Sequence, residues 1–387
     1  MGALRAPDAR RLRTGAALKP VLFVTGHAPA YRVGAFACLH AREGIELALF
    51  GGSSKHAGEA YAGELPLPHR HLRPHELAPL AASGDYRAVV CPTGGRLAPL
   101  ASWAGARRAR VPVILWASLW AHPRRAAHAV TYLPLRRLYR AADAVVTYGP
   151  HVSAYVCARG ARNVHVAPQS VDNAFWSAPA PAPAPRDAAG WPPRAVTRFL
   201  FVGRPDREKG LAVLLRAWAG AALAQRAALM LVGVGSELPL AVRARAGGLR
   251  RRAEGVVCLQ RMGALELRSM YAACDVLVLP SIATRTFREP WGLVVNEAMN
   301  RGLPVIASDA VGAAAGGLVR DGVNGLVVPA GDHEALANAL RRLAGDAALR
   351  TRLGRAGAED VRAFSHETWA EGFSQAFLTV GIARERW

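Results

Sequence analysis

The sequence has few lysines, few cysteines and no long apolar run. Its 387 residues contain three lysines, Lys19, Lys55 and Lys209, so arginine supplies nearly all of the positive charge. The five cysteines lie far apart and lack the spacing of a metal site, which predicts a reduced, cytoplasmic chain. No apolar run reaches the roughly 20 residues of a membrane-spanning helix. The run Val21–Val24 is too short for a signal peptide, so we expect none.

The formal net charge of +21 does not by itself predict a nucleic-acid-binding protein. Arginine with abundant alanine, glycine and proline is also what G·C-rich codon usage produces, and the two origins of the charge stay open. The sequence lacks zinc-site spacing, an RNA-recognition motif and a basic stripe with interleaved aromatics, so we expect no nucleic-acid partner. Residues 1–190 carry 23 Lys and Arg against 10 Asp and Glu. An anionic surface at the inner face of a membrane is therefore a candidate partner of this half.

The two halves of the chain begin alike, each with a short β-rich run that ends at a glycine, Gly26 or Gly203. Short continuous apolar runs alternate with helical patterns after each of them, which is typical of a parallel sheet buried on both faces. We predict two Rossmann-like α/β domains whose strands direct their carboxyl ends into a shared cleft. The runs predicted as strands are Lys19–Gly26, Glu46–Phe50, Ala88–Cys91, Val113–Trp116, Ala144–Thr147, Arg198–Gly203, Leu229–Val232, Val256–Leu259, Val276–Leu279, Pro304–Ala307 and Gly325–Val328.

A tract of alternating alanine and proline, Ala178–Pro185, marks the predicted domain boundary. Proline in this pattern favours an extended, stiff connector. We therefore predict a first domain over residues 1–178, a linker over 179–195 and a second domain over 196–365. Residues 366–387 remain as a C-terminal helix.

The first candidate site is the loop Gly203–Gly210, between a predicted strand and a helix. Backbone N–H groups in such a loop, together with the helix dipole, favour an anion. Arg204 and Lys209 lie at its two sides and are placed to hold phosphate oxygens. A solvated charged turn is the more frequent explanation for any single Arg/Lys pair. The scarcity of lysine makes Lys209 stand out against that explanation.

The second candidate site contains two glutamates, Glu289 and Glu297, separated by seven residues. Pro290 and Gly292 interrupt the chain between them, so we expect Glu289 in a loop and Glu297 near the start of a helix over Leu293–Arg301. The alternative is that Glu297 complements the helix dipole and that Glu289 is an exposed loop charge. A second anion pocket is predicted at the backbone amides of Gly292, Leu293 and Val294.

The second half resembles the retaining glycosyltransferases of family 4, which have the GT-B fold. The similarity is continuous over about residues 199–365, through FVGRPDREKG, LVGVGSE, YAACDVLVLPS, EPWGLVVNEAMNRGLPVIASD and GVNGLVVPAGD. It is thinner in the first half, where Tyr139–Thr147 and Ala167–Asp172 resemble family segments. The resemblance implies that the second domain binds a nucleotide-diphosphate sugar as donor. It implies that the first domain binds a hydroxyl-bearing acceptor, whether a glycan, a lipid-linked sugar or a small molecule.

The same resemblance implies roles for the candidate residues. Arg204 and Lys209, in the loop that begins at the donor-binding Gly203, would neutralise the diphosphate, so that no metal ion or other cofactor is required. Glu297 would hold the ribose hydroxyls and Glu289 would contact the donor sugar. No protein nucleophile is established in this family, so we assign no such role to Glu289. The amides of Gly292, Leu293 and Val294 would face the sugar and phosphate. The C-terminal helix, with Trp369, Phe373 and Phe377, would cross back onto the first domain.

The first half departs from the family pattern in two places. The first loop has Gly26 and His27 but no Gly-Gly pair, and His122 comes several residues after the strand it is expected to follow. Gly26, His27 and His122 are therefore candidates for the acceptor or sugar side. A nucleotide-sugar epimerase and a non-catalytic binding protein with the same fold remain alternatives to a glycosyltransferase.

Overall fold

Two parallel sheets with flanking helices form the protein, as seen in a computed structural model. The structure describes residues 18–51, 63–95, 97–123, 126–181, 191, 193, 196–223, 225–247 and 254–384. Most of the predicted linker over residues 179–195 lies outside the described residues, as do residues 385–387 of the predicted C-terminal helix.

The first sheet has seven strands, all paired in parallel. They are β1 (Val21–Thr25), β2 (Ile45–Leu49), β3 (His69–His71), β4 (Ala88–Pro92), β5 (Val113–Ala117), β6 (Ala144–Thr147) and β7 (Val164–Val166). Their order in the sheet is β3-β2-β1-β4-β5-β6-β7. The order reverses between β1 and β4, which is where doubly wound sheets open a crevice for a ligand.

The second sheet has six strands and the same reversal of order. They are β8 (Thr197–Val202), β9 (Ala227–Val232), β10 (Val256–Leu259), β11 (Val276–Leu279), β12 (Val305–Ser308) and β13 (Gly325–Val328). Their order is β10-β9-β8-β11-β12-β13, so the crevice opens between β8 and β11. The prediction of two parallel α/β sheets is confirmed.

Helices follow most of the strands in chain order, and the last three helices follow β13. In the first half they are α1 (Ala30–Glu43), α2 (Leu77–Ala81), α3 (Ala98–Ala109), α4 (Ala126–Ala141), α5 (Pro150–Cys157) and α6 (Asn173–Ser177). Those that follow are α7 (Leu211–Ala221), α8 (Leu240–Arg245), α9 (Ala264–Ala273), α10 (Val294–Asn300), α11 (Gly312–Ala315), α12 (His333–Gly345), α13 (Ala347–Asp360) and α14 (His366–Thr379). Across the described ranges, none of the helices combines the length and the apolar character needed to cross a membrane.

The predicted strands agree with the observed ones to within two residues at each end. Continuous apolar runs give this accuracy because both faces of each sheet are covered by helices. Two strands, β3 and β7, were not predicted. Each has three residues with a partly exposed pattern and lies at an edge of the first sheet. Neither strand contains the continuous apolar run from which the other strands were predicted.

The last helix of the described chain, α14, packs on the first sheet although it follows the second domain. Trp369, Phe373 and Phe377 are fully buried and lie in one core cluster with Phe23 of β1 and Phe36 of α1. The ring centroids of Phe23 and Phe373 are 5.3 Å apart, and those of Phe36 and Trp369 are 5.7 Å apart. Large aromatic side chains of this kind dominate the burial energy of a core.

Candidate active site

The loop after β8 is fixed against the end of β11 at the crevice of the second sheet. Gly210 has a φ of 69°, and a side chain there would overlap the carbonyl of Pro280, the residue that follows β11. The amide of Ile282 donates to the carbonyl of Glu208 at 2.9 Å. These contacts hold the turn Arg207–Lys209 beside the loop that follows β11.

Lys209 and Glu289, which are 80 residues apart in sequence, meet in this crevice. The Nζ of Lys209 donates to Oε2 of Glu289 at 2.6 Å, and the Oγ of Ser281 donates to the same oxygen at 3.3 Å. Glu289 is only 7% exposed, and 20% of the Lys209 side chain is exposed. Because the pair is largely removed from water, its mutual attraction is stronger than that of a surface ion pair.

The segment that carries Glu289 is a loop, as the breaks at Pro290 and Gly292 predict. Glu289 forms an isolated parallel bridge with Val311, and the amide of Gly312 donates to its carbonyl at 3.1 Å. A side chain at Gly312 would overlap the carbonyl of Pro290. The loop is thereby held directly against the start of α11.

Two side chains of the first half also hold this loop. The indole Nε1 of Trp120 donates to the carbonyl of Glu289 at 3.1 Å, and Nε2 of His151 donates to the carbonyl of Pro290 at 3.2 Å. The Trp120 and His151 rings are perpendicular at 4.9 Å, and the guanidinium of Arg288 lies 4.6 Å above Trp120. The loops after β5 and β6 therefore face the crevice of the second sheet.

The other predicted site residues of the second domain differ in how far they are exposed. The side chain of Arg204 is 41% exposed and its Nε lies 3.3 Å from Asp206 Oδ2. Glu297 is half-buried near the start of α10, and the buried Tyr271 hydroxyl donates to its Oε2 at 2.7 Å. Burial, followed by the negative charge of Glu297, raises the pKa of Tyr271 well above its ordinary value. Tyr271 therefore stays a hydrogen-bond donor.

The glycine and amide candidates lie at the ends of the elements that the sequence predicted. A side chain built on Gly203 would approach the Lys209 stem at 3.9 Å, so this glycine borders the lysine. The predicted helix over 293–301 is observed as α10, one residue shorter at each end. This helix begins directly after the Glu289 loop. Gly292, Leu293 and Val294, whose backbone amides form the predicted anion pocket, are partly exposed.

A cavity of about 750 Å³ lies at the carboxyl ends of β1, β4 and β5 in the first sheet. Gly26 and His27 line it, as does Trp116 at the end of β5. His122 is absent from the described residues that line it. Its ring instead packs perpendicular to Tyr132 with centroids 5.0 Å apart.

Sequence reasoning missed two residues of the first half that hold the Glu289 loop, Trp120 and His151. Each follows a first-half strand that was correctly predicted, but their partners are backbone carbonyls of the second half. A backbone carbonyl has no sequence signature. The position of both residues just beyond the carboxyl ends of parallel strands was the available signal.

Burial lowers the pKa of three histidines, His151, His165 and His366, below the ordinary value of 6.5. For His366 the positive charge of Arg32 adds to this effect. The unfolded chain therefore binds more protons than the folded protein just below pH 6.5. The histidine contribution to stability is present above the ordinary pKa and is lost on acidification.

We expect the free energy of unfolding to fall between about pH 7.5 and about pH 5.5, measured by urea denaturation. The variant His151→Gln should show a shallower fall because one of the depressed imidazoles is gone. His333→Gln, at an exposed position in α12, serves as control and should follow the unmodified protein. Equal slopes in all three proteins would contradict this assignment.

Comparison with known proteins gives a family match for part of the chain and a fold match for nearly all of it. Residues 196–346 match the family model described as "Glycosyl transferases group 1". The phosphatidyl-myo-inositol mannosyltransferase of Mycobacterium leprae is 38% identical over 197 residues, which cover 50% of each chain. The D-inositol 3-phosphate glycosyltransferase of Streptomyces griseus is 35% identical over 215 residues, covering 52% of this chain and 43% of the relative. The matched region thus spans about half the length of these curated relatives.

A solved structure extends the similarity of fold to nearly the whole chain. The crystal structure of Anabaena HepE in complex with UDP-glucose superimposes with a TM-score of 0.69 and 20% sequence identity. The match covers 93% of this chain and 99% of that one. The arrangement of the two sheets is therefore that of GT-B glycosyltransferases, as predicted.

Proposed function

We propose that this chain, whose residues 196–346 match the family model of the group 1 glycosyl transferases, moves a sugar from a nucleotide-diphosphate donor to a hydroxyl acceptor with retention of configuration. The observation that carries the proposal is the contact of Lys209 with Glu289 at the crevice of the second sheet. The proposed reaction develops negative charge on the diphosphate and positive charge on the sugar. A cation and an anion held in one partly buried site can stabilise these two charges.

The proposed chemistry separates charge between the donor sugar and the departing diphosphate. The bond from the anomeric carbon to the diphosphate oxygen breaks, and a bond from that carbon to the acceptor oxygen forms on the same face. The acceptor proton passes to the departing diphosphate. Lys209 would stabilise the negative charge of the diphosphate, and Glu289 the oxocarbenium-like charge of the sugar.

The remaining donor contacts are assigned by position. We place Arg204 and the Gly203 backbone at the diphosphate, in the same loop as Lys209. Glu297 would accept hydrogen bonds from the ribose hydroxyls. The amides of Gly292, Leu293 and Val294 would lie between sugar and phosphate, next to Glu289. Because two cations would serve the diphosphate, the proposed reaction uses no metal ion.

The acceptor is assigned to the first-domain cavity, which lies at the carboxyl edge of its sheet. Gly26 and His27 line this cavity, which supports their assignment to the acceptor side. His122 packs against Tyr132, so we assign it no contact with the acceptor. All five cysteines are free thiols, which supports work in a reducing compartment such as the cytoplasm.

The proposal is tested by incubating the full chain with a panel of nucleotide sugars and measuring nucleoside diphosphate release. Release with and without EDTA, together with an α-linked product from an α-linked donor, is the expected result. Conversion of the donor into an epimeric nucleotide sugar without release would indicate the epimerase alternative. Binding of nucleoside diphosphates with no turnover of any donor would indicate a binding protein, and both outcomes would overturn the proposal.

Trp120→Phe should lower turnover about tenfold while leaving the KM for the donor nearly unchanged. The substitution removes the hydrogen bond to the Glu289 carbonyl, worth about 1 kcal/mol, and keeps most of the ring volume. Small losses of position at a reacting group lower the rate more than they lower binding. Trp103→Phe in α3 is the matched control, because that indole lies in the first domain and has no hydrogen-bond partner in the part of the chain that the structure describes. Equal kinetics in both variants would argue against the role of Trp120.

Contact of the first domain with an anionic membrane surface remains a proposal based on charge. Arg107, Arg108 and Arg110 are exposed at the end of α3, and Leu100 of the same helix is 45% exposed. Basic and apolar side chains on one helix favour anionic lipid. We expect the full chain to sediment with phosphatidylcholine vesicles only when they contain phosphatidylglycerol, and less at high salt. Binding independent of phosphatidylglycerol would contradict this role.

A further inference from the structure

Arg32 of α1 is a buried cation that lines the first-domain cavity. The residue is 2% exposed. Its guanidinium carbon lies 5.4 Å from the centre of the Tyr31 ring, 5.7 Å from Trp116 and 5.4 Å from Trp369. Aromatic faces attract a cation, but they do not replace the hydrogen bonds that a guanidinium makes in water.

The hydrogen bonds of this guanidinium are incomplete. One terminal nitrogen donates to the side-chain oxygen of Gln169, whereas the other, Nη1, is buried with no hydrogen-bond partner among the described residues. Within the described ranges no carboxylate forms an ion pair with Arg32. A buried charge without a counter-ion is costly, so the site is short of one anion.

Gln169 is itself held in place from the second domain. Its backbone carbonyl accepts a hydrogen bond from Asn296 Nδ2 at 3.1 Å, and Asn296 Oδ1 accepts from the indole of Trp291 at 2.8 Å. Trp291 and Asn296 both lie within the stretch from Glu289 to Glu297. Arg32 is therefore connected through Gln169 to the loop that carries the proposed catalytic groups.

The remainder of the cavity wall offers groups that suit a polyol. Thr25, Thr93 and Ser118 line it with hydroxyls, and Trp116 supplies an apolar face. Hydroxyl and aromatic groups around one charged group are typical of sites that orient a small polar ligand. The chemistry of the cavity thus combines one anion position with several positions for hydroxyls.

We propose that this cavity binds an acceptor that carries a phosphate or carboxylate group beside its hydroxyls, and that Arg32 selects that anion. The inference rests on the proposed function, since it specifies the acceptor of the same reaction. A phosphate or carboxylate would accept hydrogen bonds from Nη1 and supply the missing negative charge. A guanidinium is the side chain best suited to such planar, two-point recognition.

The test uses matched pairs of ligands that differ by one anionic group. The full chain is titrated calorimetrically with glycerol and glycerol 3-phosphate, and with glucose, glucose 6-phosphate and glucuronic acid. We expect the charged member of a pair to bind more tightly. Arg32→Gln should weaken binding of the charged members by a factor on the order of ten to one hundred, with binding of the neutral members unchanged.

A second variant keeps the proposal testable if Arg32→Gln fails to fold. Gln169→Glu places a carboxylate beside the guanidinium, so it should compete with the ligand anion and weaken its binding to a similar degree. The control is Arg87→Gln, a half-buried arginine of the same domain. Arg87 donates to the carbonyls of Glu43 and Ile382 at the amino edge of the sheet, opposite the cavity. It should leave ligand binding unaltered.

Binding to lipid vesicles distinguishes an anion on a lipid headgroup from one on a soluble ligand. Vesicles of phosphatidylcholine with and without phosphatidylglycerol offer a phosphate with free hydroxyls in a membrane. Binding that needs both phosphatidylglycerol and Arg32 would identify a lipid headgroup. Equal binding of charged and neutral ligands, or charged-ligand binding unaffected by Arg32→Gln and Gln169→Glu, would overturn the inference.

Failure of the inference is distinguishable from failure of the proposed function. Donor turnover with a preference for neutral acceptors would refute the anion site and leave the glycosyltransferase proposal intact. Anion binding dependent on Arg32 in a chain that turns over no nucleotide sugar would establish the site and refute the reaction.

Discussion

Lys209→Ala should lower turnover by a factor on the order of 10²–10³. The ammonium is fixed by its 2.6 Å contact with Glu289 and by the Gly210 turn packed against Pro280, so it would be preorganised for the diphosphate of the proposed reaction. Stabilisation of charge that develops in the transition state appears mainly in kcat. Steady-state kinetics with the best donor of the nucleotide-sugar panel measures the effect.

Two arginines of the same loop provide the comparison for Lys209. Arg207→Ala, an exposed residue of the turn, should change turnover less than about twofold, as surface charges contribute little. Arg204→Ala should lower turnover to an intermediate degree, because its side chain is 41% exposed and paired with Asp206. Lys209→Ala with unchanged kinetics would place the diphosphate elsewhere.

Glu289→Gln should lower turnover by a factor on the order of 10²–10³ and also reduce stability. The amide preserves the shape of the side chain but removes the negative charge that we propose to face the donor sugar. It also leaves the Lys209 ammonium without its partner in a site where Glu289 is 7% exposed. Removing one member of a buried pair costs about 3–5 kcal/mol, and partial exposure of Lys209 reduces that figure.

A double-mutant cycle separates the two consequences of Glu289→Gln. The double variant Lys209→Met, Glu289→Gln should be more stable to urea than Glu289→Gln alone, because no unpaired charge remains. Turnover should stay low in the double variant, since both charges are absent. Stability effects that simply add would show that the two side chains do not interact in solution.

The fold was predictable from sequence wherever continuous apolar runs occur. The parallel sheets follow from runs such as Val276–Leu279, which is buried throughout, whereas the edge strands β3 and β7 were missed because their residues are largely polar or exposed. Lys209 and Glu289 were predicted separately. Their contact follows from the rule that adjacent parallel strands end at one edge, here β8 and β11.

Contacts between the halves were not predictable by the same reasoning. Trp120 and His151 bind backbone carbonyls in the other half, and no local pattern encodes such a partner. Arg32 lies in the amphipathic helix α1, among its apolar positions. In the count of charges it was only one of many arginines. That it contacts Gln169, and no carboxylate within the described ranges, depends on where the chain returns 137 residues later.

The position of α14 has a consequence for the order in which the protein forms during synthesis. Trp369, Phe373 and Phe377 complete the core around β1 and α1, yet they leave the ribosome after the entire second domain. The first domain must therefore wait, with apolar surface on β1 and α1 uncovered, while more than half of the chain is made. Maturation of the first domain is thus tied to completion of the second, and a chain interrupted before residue 366 would present a surface that chaperones recognise.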